Sequence, residues 1–228
     1  VKRAAWLAAA AAPAFWGAYT WGSHLLTVAS VWRGSTKRRA VTLTFDDGPD
    51  PEWTPRVLDL LERERVRGAF FLIGRRAEKA PAVARRIARA GHDLGNHTWS
   101  HTSLWRCGPR DTAREVRDGH AAIAQAAGAA PRFFRPPWGK TNLAMFGVLR
   151  RLDTPCVFWT VQPESRRPAD AAEQARRGAA RARPGAIFDL HDADGVPGAG
   201  ARLVESLPAL IAALRDQGYA LVPLRELL

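Results

Sequence analysis

Two adjacent carboxylates, Asp46-Asp47, end an apolar run from Val41 to Phe45 and are followed by Gly48-Pro49, a pair that forces a turn. Carboxylates placed this way can be aimed into one pocket, where one holds a metal and the other takes a proton. Four further pieces supply the remaining groups: His97-Thr98-Trp99-Ser100-His101, Arg135-Pro136-Pro137-Trp138-Gly139, Trp159 and Asp189-Leu190-His191. His97 and His101 are four apart, so on a helical turn both imidazoles project from one side. With one carboxylate they give three protein ligands and leave positions for water and substrate, as catalytic zinc requires. A divalent metal acidifies water and polarises a carbonyl oxygen, so the second carboxylate can serve as base while the nucleophile forms. The oxyanion that results needs a fixed donor, and a backbone N–H near Trp138 in the rigid Pro-Pro-Trp-Gly turn is the candidate. Amines leave poorly unless protonated, which makes His191 the candidate general acid, since imidazole titrates near neutrality. The set points to metal-assisted hydrolysis of an amide.

Two members have a second reading. Arg135 either lies buried beside a carboxylate, orienting it and lowering its pKa, or is one more surface arginine. Its place after Phe133-Phe134 and before a rigid turn favours burial. Trp159 either walls an acyl pocket or, within Val157-Phe158-Trp159, is plain core.

The elements that must position these groups alternate. Short apolar runs at Val41 to Phe45, Gly68 to Ile73, His92 to Gly95, Phe133-Phe134, Cys156 to Val161, Ala186 to Leu190 and Tyr219 to Leu224 read as buried parallel strands. Helical stretches fill the gaps. One opens at Pro55 with Thr54 as N-cap, and others run Pro81 to Ala90, Asp111 to Ala127, Leu143 to Leu152, Ala169 to Ala182 and Leu203 to Asp216. Repeated βα units imply a parallel sheet with helices outside it, closed as a barrel or open. Asp46-Asp47, His97, Arg135 and His191 each follow a strand, and in a βα barrel the strand C-terminal ends share the face where active sites are built.

The chain has 228 residues, enough for one catalytic domain, and 46% hydrophobic with 25% charged residues is an ordinary globular balance. The formal charge of +12 favours anionic partners. However, with only four lysines and abundant arginine and alanine, composition bias accounts for it, and no aromatic-basic RNA motif or zinc-finger spacing supports nucleic acid. Cys107 and Cys156 form neither a disulfide framework nor a metal-ligand spacing and read as small buried residues. From Ala4 to Trp32 there is no Asp, Glu, Lys or Arg, and Lys2-Arg3 and Arg33 flank the run. About 20 apolar residues span a bilayer, and Trp6, Trp16, Trp21 and Trp32 suit its interfaces, whereas Pro13, Gly17, Gly22, Ser23 and His24 weaken a simple span. The expectation is an N-terminal hydrophobic segment, residues 1–38, acting as a membrane anchor and followed by a catalytic domain, 39–228. An uncleaved signal-like segment and a hydrophobic helix packed on the domain are the rivals. The sequence carries no signal for oligomeric state.

Together, T-F-D-D-G, H-x3-H, R-P-P-W-G and the late L-H resemble the polysaccharide deacetylase family, carbohydrate esterases of family 4 with a NodB-type domain, over roughly Arg39 to Leu228. The resemblance implies a distorted (β/α) barrel, here preceded by an N-terminal hydrophobic helix. It also implies a divalent metal, usually Zn2+, although the same ligands accept Co2+, Ni2+ or Mn2+. The implied activity is removal of N-acetyl groups from an acetylated amino-sugar polysaccharide, peptidoglycan or chitin-like, at the cell envelope by an anchored or secreted enzyme. By motif, Asp46 is the implied base, Asp47, His97 and His101 the metal ligands, Arg135 the residue orienting the base and His191 the acid. Trp138 supplies the oxyanion contact, and Pro136, Trp159 and Leu190 join it in the substrate-binding set. Two departures stand out. The family's D-x-x-D-W becomes Gln162-Pro163-Glu164-Ser165-Arg166, and its Leu-x-His becomes Asp189-Leu190-His191. Asp189, Asp192 or Glu164 is then left to support His191. An O-acetyl esterase or other non-peptide C–N hydrolase, and a sugar-binding relic without turnover, are the competing functions.

Overall fold

Strand pleating sorts this chain's residues into an outward set that meets helices and an inward set that fills a barrel. The computed structural model describes residues 13–164, 170–193, 195 and 197–228. Its elements in order are β1 (Ala40–Asp46), α1 (Trp53–Arg63), β2 (Ala69–Leu72), α2 (Gly74–Lys79), α3 (Pro81–Arg89), β3 (Asp93–Asn96) and α4 (Pro109–Ala127). Then follow β4 (Phe133–Phe134), α5 (Leu143–Arg151), α6 (Ala171–Ala180), β5 (Ile187–His191), α7 (Ala199–Asp216), β6 (Ala220–Leu221) and α8 (Leu224–Leu227). The strands pair in parallel in the order β4-β3-β2-β1-β5, with β6 on the start of β1.

Successive side chains on a strand point to opposite faces. Val41, Leu43 and Phe45 of β1, with Phe70, Leu94, Phe188 and Leu190, pack against Leu58 and Leu61 of α1 and Leu207, Leu210 and Ile211 of α7. The alternate set points inward: Ala40, Ala69, Phe71, Phe133 and Ile187 fill the interior, closed at the strands' N-terminal end by Leu224 and Leu227 of α8. Further along the same inward rows come Thr44 and Asp46 on β1 and Asp189 and His191 on β5. The register pairs Thr44 with Asp189 and Asp46 with His191.

The expected strand at Cys156 to Val161 is not a strand. Its ends form isolated bridges, Cys156 to Phe134 of β4 and Val161 to Phe188 of β5, so this segment spans the gap between the two sheet edges and closes the barrel without a ladder of its own. Thr54 is not an N-cap either: Asp50 Oδ1 accepts the N–H groups of Glu52 and Trp53 at the start of α1. Cys107 and Cys156 are buried and unpaired.

Where a hydrophobic N-terminal helix was expected, the described residues, which begin at 13, hold two helical pieces. Residues 13–20 are helical, and a 3-10 turn follows at Gly22–Ala29. Hydroxyls break the continuity and tie the segment to the domain: Ser23 Oγ meets Thr141 Oγ1 at 2.7 Å, and Tyr19 is buried. Val31 bridges Val157, and Trp32 stacks on Phe158 at 4.0 Å. Among the described residues no helix is long and apolar enough to cross a membrane. Residues 1–12, where the expected anchor begins, lie outside the described residues.

One glycine shows how tightly the interior is filled. A Cβ on Gly95 of β3 would lie 2.3 Å from the Phe71 ring, the ring on which the Arg135 guanidinium rests at 4.0 Å. Gly95→Ala is expected to lower unfolding free energy by about 1–3 kcal/mol through overpacking, measured by urea denaturation. An unchanged midpoint would mean that Phe71 moves aside freely.

Candidate functional site

A metal site needs unprotonated donors whose lone pairs meet at a point. Asp47, His97 and His101 provide them: one ligand atom from each lies within 4.8 Å of the others. Asp47 Oδ1 is 3.0 Å from His101 Nε2 and 3.6 Å from His97 Nε2. Bonds of about 2.1 Å at tetrahedral angles would separate ligand atoms by about 3.4 Å. The fit is also chemical. His97 Nδ1 lies 2.7 Å from the Arg135 carbonyl and donates to it, which leaves the Nε2 lone pair facing the carboxylate. Burial pushes His97 down to about 4, so the ring is neutral at working pH. Asp47 Oδ1 is buried without a hydrogen-bond partner, a costly arrangement unless a cation is its partner. Burial raises the Asp47 carboxyl, but the contact with His101 and the surrounding imidazoles outweigh it, holding the group below the usual carboxylate range. These residues fit a divalent cation.

The histidines do not converge on a helix, as their spacing had suggested. Residues 97–101 form a loop in which Thr98 (φ 67°) and His101 (φ 61°) are left-handed, and the His101 N–H donates to Thr98 Oγ1 at 3.0 Å. Asp47 (φ 74°) and Trp138 (φ 54°) share that conformation, so four of the six described non-glycine residues with positive φ lie at this site. Such backbone costs about 1–3 kcal/mol per residue and persists where surrounding structure imposes it. Here the tight turns bring β1, β3 and β4 chain ends over one pocket.

Asp46 sits beside the triad, its Oδ2 3.8 Å from His97 Nε2, and its other oxygen accepts from Arg135 Nη1 at 2.7 Å. Arg135 is fully buried, as the favoured reading required, and also donates to Thr44 Oγ1, the Val157 carbonyl and the Phe158 carbonyl. Asp189 Oδ1 reaches the same Nη1 only at 3.5 Å. Burial and the Asp46 charge push Asp189 up to about 8. The short bond of the guanidinium therefore goes to Asp46, with Asp189 its more distant partner.

On the acid side, Glu164 grips His191 twice: Oε1 accepts the His191 backbone N–H at 3.0 Å and Oε2 meets Nδ1 at 2.5 Å. Burial lowers the imidazole pKa, but the Asp189 and Glu164 carboxyls outweigh it and hold His191 well above its ordinary value. Of the three proposed supporters, Glu164 makes direct contact and Asp189 acts through space. Asp192 faces the other way, accepting from Thr54 Oγ1. Ser165 and Arg166 lie outside the described residues.

A cavity of about 470 Å³ joins these groups; its wall includes Asp46, Asp47, His97, His101, Asp189 and His191, with Trp138, Trp159, Gln162, Glu164, Gln174, Gly195 and Arg202 around them. Trp138 is exposed and its ring lies 4.5 Å from that of His101. The Gly139 and Lys140 N–H groups are taken by the Pro136 and Pro137 carbonyls, leaving the Trp138 N–H as the turn's candidate oxyanion donor. Trp159 combines both of its readings, lining the cavity while packing near Arg135. Two expected members fall outside. Leu190 points outward into the helix-facing core, as strand alternation demands, and Pro136 is buried in its turn without lining the cavity. Sequence reasoning missed Thr44, legible as the inward neighbour two residues before Asp46, and Gln174 and Arg202, which helices bring from a distance without a local motif. A larger groove of about 930 Å³ lies at the strands' N-terminal ends, lined by residues such as Arg67, Arg89 and His92, and gathers no metal-ligand set among the described residues.

The sequence profile of the polysaccharide deacetylase family matches residues 33–157. The chitooligosaccharide deacetylase of Sinorhizobium fredii is 38% identical over 200 residues, covering 83% of this chain and 92% of that protein. The crystal structure of a peptidoglycan N-acetylglucosamine deacetylase aligns with a TM-score of 0.81 at 32% identity, over 87% of this chain and 92% of its own. An acetyl xylan esterase from Clostridium thermocellum, solved with a cobalt ion, aligns with a TM-score of 0.75 at 34% identity, over 82% and 89%.

The triad predicts a specific loss. Asp47→Ala should weaken Zn2+ or Co2+ binding by at least about 100-fold, as loss of a charged ligand does more than loss of its supporting contacts, whereas Asp46→Asn should leave affinity within a few-fold. Calorimetric titration of the chelator-treated protein reads both, and equal affinities for the two variants would remove Asp47 from the ligand set.

Proposed function

The chain belongs to the polysaccharide deacetylase family, and from that premise we propose that it is a metal-dependent hydrolase. It removes the N-acetyl group from N-acetylglucosamine units of an envelope polysaccharide, peptidoglycan or a chitin-like oligomer. The observation that carries this reading is the register of β1 and β5, which sets base Asp46 beside acid His191 at the rim of the Asp47-His97-His101 triad.

A divalent cation held by Asp47, His97 and His101 supplies Lewis acidity, making water more acidic and the acetyl carbonyl carbon more electrophilic. Zn2+ is the leading candidate for a two-histidine, one-carboxylate set, with Co2+, Ni2+ or Mn2+ as alternatives. Asp46, oriented by Arg135, takes the proton of the water whose oxygen attacks that carbon. The Trp138 N–H donates to the carbonyl oxygen as it becomes negative. His191, its Nδ1 engaged by Glu164, delivers a proton from Nε2 to the sugar nitrogen as the C–N bond breaks. Acetate and a free amine result, and the wall of Trp138 and Trp159 shields the acetyl methyl from water.

The aligned acetyl xylan esterase raises O-acetyl hydrolysis as a second reading. A sugar alkoxide leaves more readily than an amide nitrogen, so an ester needs no acid held protonated past neutrality. The grip of Glu164 on His191 therefore favours the amide, and rates on acetyl xylan against N-acetyl oligosaccharides separate the two. Retention of both base and acid also argues against a relic without turnover.

The same reading places the enzyme at the cell envelope, with residues 4–32 at the membrane. Support comes from Phe15, Trp21, Leu25 and Val28, large apolar side chains that are 67–87% exposed on a segment tied to the domain through Ser23.

Two outcomes test the chemistry. Asp46→Asn should cut acetate release from N-acetylglucosamine oligomers by about 10²- to 10⁴-fold, the usual worth of a general base; a rate near wild type would exclude Asp46 from that role. Glu164→Gln removes the charge that keeps His191 protonated, so the alkaline limb of the kcat/KM profile should move to lower pH by about one unit. A limb that stays in place would mean that Glu164 only packs against the ring.

A further inference from the structure

Among the described residues, seven of the eleven exposed large apolar side chains fall from Phe15 to Trp32, and the 3-10 turn at Gly22–Ala29 is built inside out. Its buried residues are Ser23 and Thr27, while Leu25, Leu26 and Val28 face solvent, Leu25 and Val28 at 80% and 87% exposure. A surface element of a globular domain does the reverse, burying its apolar stripe and exposing its polar one. Hydroxyls hold the turn in this sense: Ser23 Oγ meets Thr141 Oγ1 at 2.7 Å, and Thr27 Oγ1 donates to the His24 carbonyl at 2.7 Å. Trp32 Nε1 donates to the Thr27 carbonyl at 2.9 Å while its ring stacks on Phe158, so the leucines turn inward only by breaking contacts with the domain. Large apolar side chains held outward in this way mark a surface that meets an apolar phase.

Beside Trp32 lies a shallow pocket of about 780 Å³. Three cations line it, Arg33, Lys37 and Arg183, together with Ser35 and Thr160, and among the described residues no carboxylate does. Two main-chain bonds pin its wall, from the Gly34 N–H to the Gly185 carbonyl at 2.9 Å and from the Ser35 N–H to the Leu227 carbonyl at 2.8 Å. A Cβ on Gly185 would fall 3.0 Å from Arg33 Cγ, which brings the stem of Arg33 to within two residues of Arg183. The sequence adds no counter-charge. From Val1 to Phe45 it holds no Asp or Glu, whereas Lys2, Arg3, Arg33, Lys37, Arg38 and Arg39 are cationic. A planar guanidinium fork matches the oxygens of a phosphate. Val28 stands two residues before Ser30 of the pocket wall, so at most about 7 Å of chain separates the apolar part from the cationic part.

An apolar turn bordered by a cationic pocket matches the boundary between the acyl chains and the anionic headgroups of a bilayer. We propose that Leu25, Leu26 and Val28 dock into an anionic phospholipid surface and that Arg33, Lys37 and Arg183 take a headgroup phosphate, so that the domain lies on the membrane. This rests on the envelope placement given above and names its lipid partner and the residues that touch it. A second copy of the chain is a poorer occupant, because a two-fold interface sets the same cations against one another. A neutral polymer leaves the charge unanswered.

The test is flotation of the full chain with two kinds of vesicle, phosphatidylcholine alone and phosphatidylcholine mixed with phosphatidylglycerol. The wild type is expected to bind the anionic vesicles at least about tenfold more tightly, since each cation near such a surface is worth about fivefold, and the preference should shrink with salt. Arg33→Gln, Lys37→Gln and Arg183→Gln together should bring the two vesicles within about threefold of each other. Arg63→Gln, Arg89→Gln and Arg117→Gln together remove the same charge from exposed helix positions and should keep most of the preference. Leu25→Ser with Val28→Ser should weaken binding to both vesicles by at least about tenfold. Unchanged thermal midpoints establish that the variants fold. No binding of the wild type to either vesicle would overturn both the docking site and the placement at the membrane. Equal binding to the two would overturn the headgroup pocket and leave the placement at the membrane standing, and this arm needs no variant. Equal losses in the two triple variants would assign the preference to the net charge of +12 instead of the pocket. Binding untouched by Leu25→Ser with Val28→Ser would remove the turn from the contact.

Discussion

A guanidinium with no contact to water holds this structure together at the point where its chemistry happens. Arg135 has none of its surface exposed, and burying a charge costs several kcal/mol unless partners replace the lost water. The partners come from every side: Thr44 and Asp46 on β1, the carbonyls of Val157 and Phe158 on the closing segment, and the Phe71 face of β2 beneath. Its own backbone carbonyl accepts from His97 Nδ1, which fixes the tautomer of a metal ligand. Barrel closure, orientation of the base and preparation of the metal site thus share one residue. None of the three can relax without leaving a buried charge or a buried acceptor unsatisfied.

The counter-charge arrangement follows from the same constraint. Arg135 Nη1 has two hydrogens, and Thr44 and Asp46, both at 2.7 Å, take them. Asp189, inward and one strand over, is left at 3.5 Å, and burial beside the Asp46 carboxylate moves its pKa to about 8. A site with two ionised carboxylates on one guanidinium would carry a surplus negative charge in low dielectric. The upward shift of Asp189 works against that surplus, and the shorter bond to the guanidinium fixes Asp46, the residue placed as base.

Much of this was written in the sequence, for reasons that can be stated residue by residue. Asp46, Asp47, Arg135 and His191 follow strands, and strand ends in parallel α/β proteins share a face, so their convergence was legible without coordinates. Inward placement of Thr44 and Asp189 was legible too, from the period of two, and the same rule should have sent Leu190 outward. The turn at 97–101 was not: a spacing of four suits a helix, and only tertiary contacts select two left-handed residues instead. Cys156 to Val161 looks like a strand because it is apolar and buried, yet its partners are isolated bridges and no ladder forms. The N-terminal run shows that hydropathy measures the wish to leave water and not the destination, since Tyr19, Ser23, Val31 and Trp32 settle on the domain.

The altered segment after Trp159 bears most directly on what the enzyme can cleave. An acid histidine needs a negative neighbour at Nδ1, a fixed tautomer and a fixed backbone, and no particular residue type is required to provide them. Glu164 supplies all three with one carboxylate, because its two oxygens reach the ring nitrogen and the His191 N–H together. Its side chain is longer than that of aspartate by one methylene, which lets it approach from a different position in the segment. Loss of the family's usual Asp is therefore compensated by geometry. A site that had drifted toward ester cleavage, or toward binding alone, would have had no physical reason to rebuild a support whose effect is to keep a proton on His191.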